Sequence, residues 1–314
     1  MTPAEREHMQ RARVLLSYHS YRTANVREHC EALRIDGVAP DVFADSGAFS
    51  AYSSGATITV DEYVAWIHRW RDWLTVYANL DVIGDHAASM RNLRELERCG
   101  LSPLPVFHTH TDDMGVLEDL CEEYDYVAIG GMVGYSARAI FPWLVRCHKV
   151  ARKHGTALHG FGLTSTIALS DLPWYSVDST SWLRGIRFGE VYLFEPRTGE
   201  GLNVLIGEET AHRWRAYDRL VRSYGYEPDD FIDRSRATRE VMLGMSMIAT
   251  KRFEQWLRRR HGPITGRGAD GLLLYVAGGG KSDQVVGMNA VTRYLRRYAV
   301  ADQEVGAQVK EEQL

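Results

Sequence analysis

Short apolar runs that stop at polar residues recur along this chain, and longer amphipathic stretches separate them. The runs are residues 14–20 (VLLSYHS), 41–47 (DVFADSG), 76–84 (VYANLDVIG), 104–109 (LPVFHT), 126–131 (YVAIGG), 158–163 (LHGFGL) and 175–180 (YSVDST). Each is rich in apolar or β-branched residues with little strict alternation, which is the pattern of a parallel strand buried on both faces. Between them the spacing predicts helices over 24–34, 59–74, 88–99 and 136–154. Thr59 and Glu62 have capping-box spacing, and Gly100 and Gly155 stop the second and third of the later helices. Strands alternating with helices make an α/β fold with a parallel sheet, and this many units favour a (β/α)8 TIM-like barrel.

After residue 180 the pattern changes. Residues 190–206 read as a hairpin turning at 197–201, followed by helical segments over 208–223 and 228–260. A further buried-strand run, 272–280 (LLLYVAGGG), and a helix over 289–298 come late. The expected organisation is a main barrel over 1–206, a helical insertion over 207–262, a closing strand and helix over 263–300 and a disordered tail over 301–314. The late strand would be the eighth stave of a permuted barrel, between 14–20 and 175–180.

Composition narrows the class. The 314 residues are 45% hydrophobic and 25% charged, enough for one large core. The cysteines Cys30, Cys99, Cys121 and Cys147 have no Cys-x-x-Cys spacing, so neither a disulfide framework nor a cysteine zinc site is expected. No apolar window of about 18 residues occurs and the N-terminus is charged, which predicts a cytoplasmic protein without a membrane anchor. A net charge of -4 argues against indiscriminate coating of nucleic acid. Local basic stretches remain at 251–261 (KRFEQWLRRRH) and 293–298 (RYLRRY).

In the predicted barrel, polar residues at the C-terminal strand ends face one mouth. They are Asp45, Ser46, Asp85, His108, His110, Gly130, Gly131, His159 and Asp178. On the strand before Thr180, Ser176 and Asp178 share one face and Val177 the other. Arg184 and Arg187 follow within nine residues of Asp178.

These residues fall in motifs. Asp45-Ser46-Gly47-Ala48-Phe49-Ser50 resembles the D-S-G-G-[FY]-Q of guanine transglycosylases, which exchange a guanine for a 7-deazaguanine base in tRNA. Tyr126 to Gly131 is similar to the family's G-Y-A-[IV]-G-G-L, Leu158 to Gly162 to its L-M-G-V-G, and Ser176-Val177-Asp178 to its M-F-D. Arg184, Arg187 and Gly189 keep the family spacing from that aspartate, and Ser17-Tyr18-His19 echoes N-T-Y-H. The resemblance covers residues 14–206. It departs in lacking the C-x-C-x-x-C zinc cluster and in carrying Ser50 for the family glutamine and Trp182-Leu183-Arg184 for P-T-R.

The resemblance implies a set of roles and no cofactor. Asp178 would be the nucleophile forming a glycosyl-enzyme, and Asp45 the acid and base for the departing and incoming bases. Asp85 would read the guanine edge, with Ser46, His108, Gly130 and Gly131 around it and Phe49 and His159 stacked on the base. Arg184 and Arg187 would hold phosphates of a flipped-out nucleotide. The lost zinc module turns the expected partner toward DNA, as in the DNA-modifying relatives called DpdA, with tRNA as the alternative. Two other classes stay open at this stage. A metal-dependent hydrolase of amidohydrolase type could use His108, His110, His159 and Asp178 as zinc ligands. A nucleic-acid binder could keep the barrel without turnover.

Overall fold

A computed structural model describes residues 2–109, 111, 113–264 and 271–311, without the side chains of residue 3 and residues 298–311. Seven short strands come first: β1 (Arg13–Ser17), β2 (Asp41–Asp45), β3 (Val76–Tyr77), β4 (Val106–His108), β5 (Tyr126–Gly130), β6 (Ala157–Gly160) and β7 (Ser176–Ser179). β8 (Glu190–Glu195) and β9 (Glu200–Leu205) form a separate antiparallel hairpin, and β10 (Leu273–Ala277) returns to the main sheet. That sheet has eight strands in the order β3-β2-β1-β10-β7-β6-β5-β4. All its pairings are parallel, and helices flank it. This is a TIM-like α/β architecture.

β10 pairs with β1 on one side and β7 on the other, so the latest strand in sequence lies next to the earliest. Just after β3 and shortly before β4, Ala78 and Leu104 form an isolated parallel bridge outside the strands themselves. Leu104 donates its N–H to Tyr77 O at 2.8 Å, and Asn79 donates to Leu104 O at 2.9 Å.

Alternation along each strand divides the apolar residues into two cores. Val14, Leu16, Val42, Ala44, Val127, Ile129, Leu158, Val177, Leu274 and Val276 pack outward against the helices. Leu15, Phe43, Val106, Tyr126, Ala128, Ala157, Tyr275 and Ala277 form a second cluster on the inner face of the curl. Alanines beside large aromatics let this inner layer interdigitate. Phe43 sits in it between His159, Phe161 and Tyr275. Both faces being buried accounts for the nearly continuous apolar runs of the sequence.

β3 is shorter than the run 76–84 suggests, because side chains take over the backbone bonds after Ala78. Asn79 Nδ2 donates to Ser89 O at 2.9 Å, and Ser89 Oγ accepts from Val82 N at 2.9 Å, which turns the chain toward helix His86–Arg98. The segment 228–260 is likewise divided. Asp233 Oδ1 accepts from Ser235 N at 2.9 Å, ending helix Asp229–Ile232 in a turn, and Thr238 then caps helix Arg239–His261. The last helix runs Lys281–Glu311, so the segment expected as a disordered tail is helical as far as Glu311. Among the described residues, no helix is long and apolar enough to cross a membrane.

Candidate functional site

Parallel pairing puts every C-terminal strand end on one rim, and three carboxylates gather there. Asp45 ends β2, Asp178 lies near the end of β7, and Asp81 follows β3. The register sets Asp45 beside Ser17 and Asp178 beside Tyr275. Gly47 follows Asp45 at φ +73°, and its N–H donates to Asp45 Oδ2 at 3.1 Å. A Cβ at Gly47 would collide with Ser17 and His19, so only glycine lets the chain turn back this tightly. Asp45 keeps some exposure at the rim but is otherwise enclosed. Burial, and then the charges of Asp178 and Asp81, push its carboxyl up to about 7, against the pull of the Gly47 and Ser46 backbone N–H groups. Such a group carries a proton for part of the time at neutral pH, as an acid/base catalyst must.

Asp178 is oriented from two sides. Gly162 N donates to its Oδ1 at 2.8 Å, and His159 Nε2 stands 3.4 Å from the same oxygen. His159 is fully buried and stacks on Phe43, with ring centroids 4.4 Å apart and 27° between planes. Its Nδ1 lies 2.7 Å from Ser176 Oγ, which lies 2.5 Å from Tyr126 Oη. Asp81 Oδ2 stands 3.3 Å from His108 Nε2, and Asp81 Oδ1 accepts from Asn79 Nδ2 at 3.2 Å.

Several sequence expectations change. Asp85 is exposed and caps helix His86–Arg98, accepting from Ala88 N at 2.8 Å, so the aspartate that reaches the carboxylate group from this strand is Asp81. His159 offers its ring to Phe43 rather than to an open pocket. Phe49 lies in helix Ala48–Ser54 at the rim and is 54% exposed. Arg184 pairs with Glu190 and lies over the Phe188 ring at 5.5 Å, so its charge is already engaged. Arg187 is exposed, with its guanidinium near Gly278.

The other expected residues are at the rim. Ser46 is buried directly after Asp45, and His108 is buried at the end of β4. Gly130 and Gly131 pack against that strand end: a Cβ on Gly130 would meet the His108 ring at 3.0 Å, and Gly131, at φ +76°, accepts from Thr109 Oγ1 at 2.7 Å. The missing side chain makes room for His108 at Gly130 and for Thr109 at Gly131.

His110 lies outside the described residues. Of the histidines that a metal hydrolase would share, His108 presents Nε2 to Asp81, and His159 presents Nδ1 to Ser176 and Nε2 to Asp178. Among the described residues, the group of metal-type side chains with ligand atoms within 4.8 Å of one another is Glu118, Glu122 and His154, on the outer helices. Glu118 there already pairs with Lys153 and His154.

Asp81, Ser176 and Tyr126 were not singled out as site residues from sequence. For Ser176 the signal was its place two residues before Asp178 on the same strand face. Nothing local separates Asp81 from Asp85, since both are polar residues bounding Val82-Ile83-Gly84. The chain matches no protein-family model, and no curated protein is detectably similar to it.

Proposed function

We propose that this protein is a transglycosylase that exchanges guanine in a nucleic acid, preferentially DNA, for a 7-deazaguanine base. The observation that carries the reading is the convergence of Asp45 and Asp178 from distant parts of the chain, close enough that the charge of one raises the carboxyl of the other. Exchange of a base with retention at the sugar needs two displacements, hence one carboxylate nucleophile and one acid/base group. Asp178 attacks the sugar carbon and forms a glycosyl ester while Asp45 protonates the departing guanine. Asp45 then accepts the proton of the incoming base as that base displaces the ester. Asp81, held by Asn79 and facing His108, takes the base-reading role that the resemblance gave to Asp85.

The rim suits a single flipped nucleotide. Phe49, Tyr52, Tyr135 and Phe188 are exposed large aromatics on the segments after β2, β5 and β7, and base stacking on such rings tolerates any sequence. Arg187 supplies a rim cation for a phosphate. In the barrel arrangement we favour, the Ala78–Leu104 bridge joins the two end strands and β10 serves as the permuted eighth stave. The resemblance to guanine transglycosylases at residues 45–50, 126–131, 158–162 and 176–189 supports the same reading.

The test is incubation of the protein with labelled guanine and either duplex DNA, single-stranded DNA or tRNA. Label is expected in DNA with the wild-type chain and absent with Asp178→Ala. Incorporation into none of the three polymers, or equal incorporation by Asp178→Ala, would remove the proposal.

A further inference from the structure

Beneath Asp178, away from the rim, a line of polar side chains runs through an otherwise apolar inner layer. Tyr126 on β5, Ser176 on β7 and His159 on β6 are each buried, with contacts of 2.5 Å and 2.7 Å linking them in that order. A buried imidazole on this inner face needs a partner for both nitrogens. Ser176 meets Nδ1. Nε2 is buried without a well-formed hydrogen bond among the described residues, and the carboxylate oxygen in front of it is Asp178 Oδ1 at 3.4 Å.

The donors and acceptors fix one direction. A carboxylate oxygen only accepts, so Nε2 must carry the proton. Burial lowers the proton affinity of His159, against the pull of Asp178, and so favours the neutral ring. Nδ1 of a neutral ring protonated at Nε2 is an acceptor, so the Ser176 hydroxyl donates to it. The Ser176 oxygen is then free to accept from the Tyr126 hydroxyl.

We infer that Tyr126, Ser176 and His159 are positioning residues that hold Asp178 Oδ1 and so make Oδ2 the oxygen that attacks the sugar. Gly162 N donates to Oδ1 and His159 Nε2 faces the same oxygen at 3.4 Å, whereas no donor among the described residues reaches Oδ2. No proton leaves the line during the reaction; its work is to fix a tautomer and a carboxylate plane. This inference rests on the transglycosylase reading only for what Asp178 attacks. The tautomer and the hold on Oδ1 stand independently of it.

The first test needs no activity. In the full chain labelled with 15N-histidine, NMR should place the His159 proton on Nε2, with Nδ1 showing the shift of a hydrogen-bonded acceptor. The signal is identified by its loss in His159→Gln. Ser176→Ala should move the Nδ1 resonance, and Tyr126→Phe should move it less. A proton on Nδ1, or a doubly protonated ring at neutral pH, would overturn the inference.

The second test separates positioning from packing. Ser176→Ala should lower kcat for guanine incorporation about ten-fold with KM for the nucleic acid unchanged. His159→Gln, whose amide can still donate to Asp178, should keep more activity than the near-isosteric His159→Leu, which cannot. Equal losses in His159→Gln and His159→Leu would assign the ring to packing alone. Should the wild type incorporate no guanine while His159 shows the Nε2 tautomer, the substrate reading fails and the hold on Asp178 survives.

Discussion

The two ends of the parallel sheet treat buried charge in opposite ways. At the N-terminal strand ends, Glu254 is fully buried but surrounded: His8 Nε2 stands at 3.2 Å, Arg13 Nη1 at 3.4 Å and Lys251 Nζ at 3.2 Å, and Leu274 N donates to it at 2.8 Å. Burial alone would raise that carboxyl. Lys251, His8 and Arg13 outweigh it and hold Glu254 well below the usual carboxylate range. Burial likewise pushes Lys251 down to about 8 despite the pull of Glu254. At the C-terminal ends, Asp45, Asp81 and Asp178 are grouped with neutral or weakly basic neighbours, and no buried arginine or lysine answers them among the described residues.

The difference separates structure from function. A compensated cluster ties helix Arg239–His261 to β1 and β10 and has no chemistry left to offer. A cavity of about 420 Å³ does open beside it, lined by Glu5, His8, Arg11, Arg13 and Arg259. Two of its cations are already bound, Arg259 to Glu5 and Arg13 to Glu254 and Asp41. An uncompensated carboxyl such as Asp45, by contrast, holds a proton that a substrate can draw on.

The comparison breaks most sharply at Glu254. Removing one partner of a buried ionic cluster leaves the others unpaired, so Glu254→Ala should cost about 3–5 kcal/mol in a urea-unfolding experiment. A loss below about 1 kcal/mol would mean that the cluster is hydrated rather than structural.

Asp45 should behave in the opposite sense. Its folded pKa lies above the unfolded value of about 3.9, so between about pH 4 and 7 the folded chain binds more protons than the unfolded one. Stability from this group is therefore fully present below about pH 4 and lost as pH rises through about 7. Asp45→Asn should raise stability at pH 8, on the order of 2 kcal/mol, and change it little at pH 4. Thermal melts at the two pH values measure this, and a uniform shift would contradict the sign. The same substitution removes the proposed acid/base group, so the proposed guanine exchange should fall although the protein is more stable.

The smallest effect separates the two neighbouring aspartates. Asp85→Ala should cost about 1 kcal/mol through loss of the helix cap and leave exchange intact. Asp81→Ala should barely alter stability and should weaken discrimination between guanine and adenine. Competition between labelled bases reads the second outcome. Exchange lost in Asp85→Ala and kept in Asp81→Ala would restore the assignment made from sequence.

Much of the architecture could be read along the chain because strands and helices are written locally, in apolar runs and in signals such as Thr59 with Glu62, which do form a capping box. The place of β10 between β1 and β7 could also be anticipated, since the run 272–280 is written as locally as the earlier strands. What escaped were features set by partners far away in sequence. Glu254 reads as one charge on a basic helix, and only the fold brings His8 and Arg13 to it. Asp81 and Asp85 differ in role because Asn79 and Ser89 divert the chain after Ala78, which no propensity reveals. His159 was expected against a base because its neighbours match a motif. Phe43, placed by a strand more than a hundred residues earlier, occupies that ring instead.

The central claim is that Asp178 carries the sugar between two bases. The most direct measurement is mass spectrometry of the peptide bearing Asp178, after acid quench of the wild-type protein with guanine-containing DNA and no incoming base. The account predicts a nucleic-acid adduct on Asp178 that disappears when excess base is added before the quench. Exchange proceeding at full rate with no adduct at Asp178, or with the adduct on another residue, would contradict it.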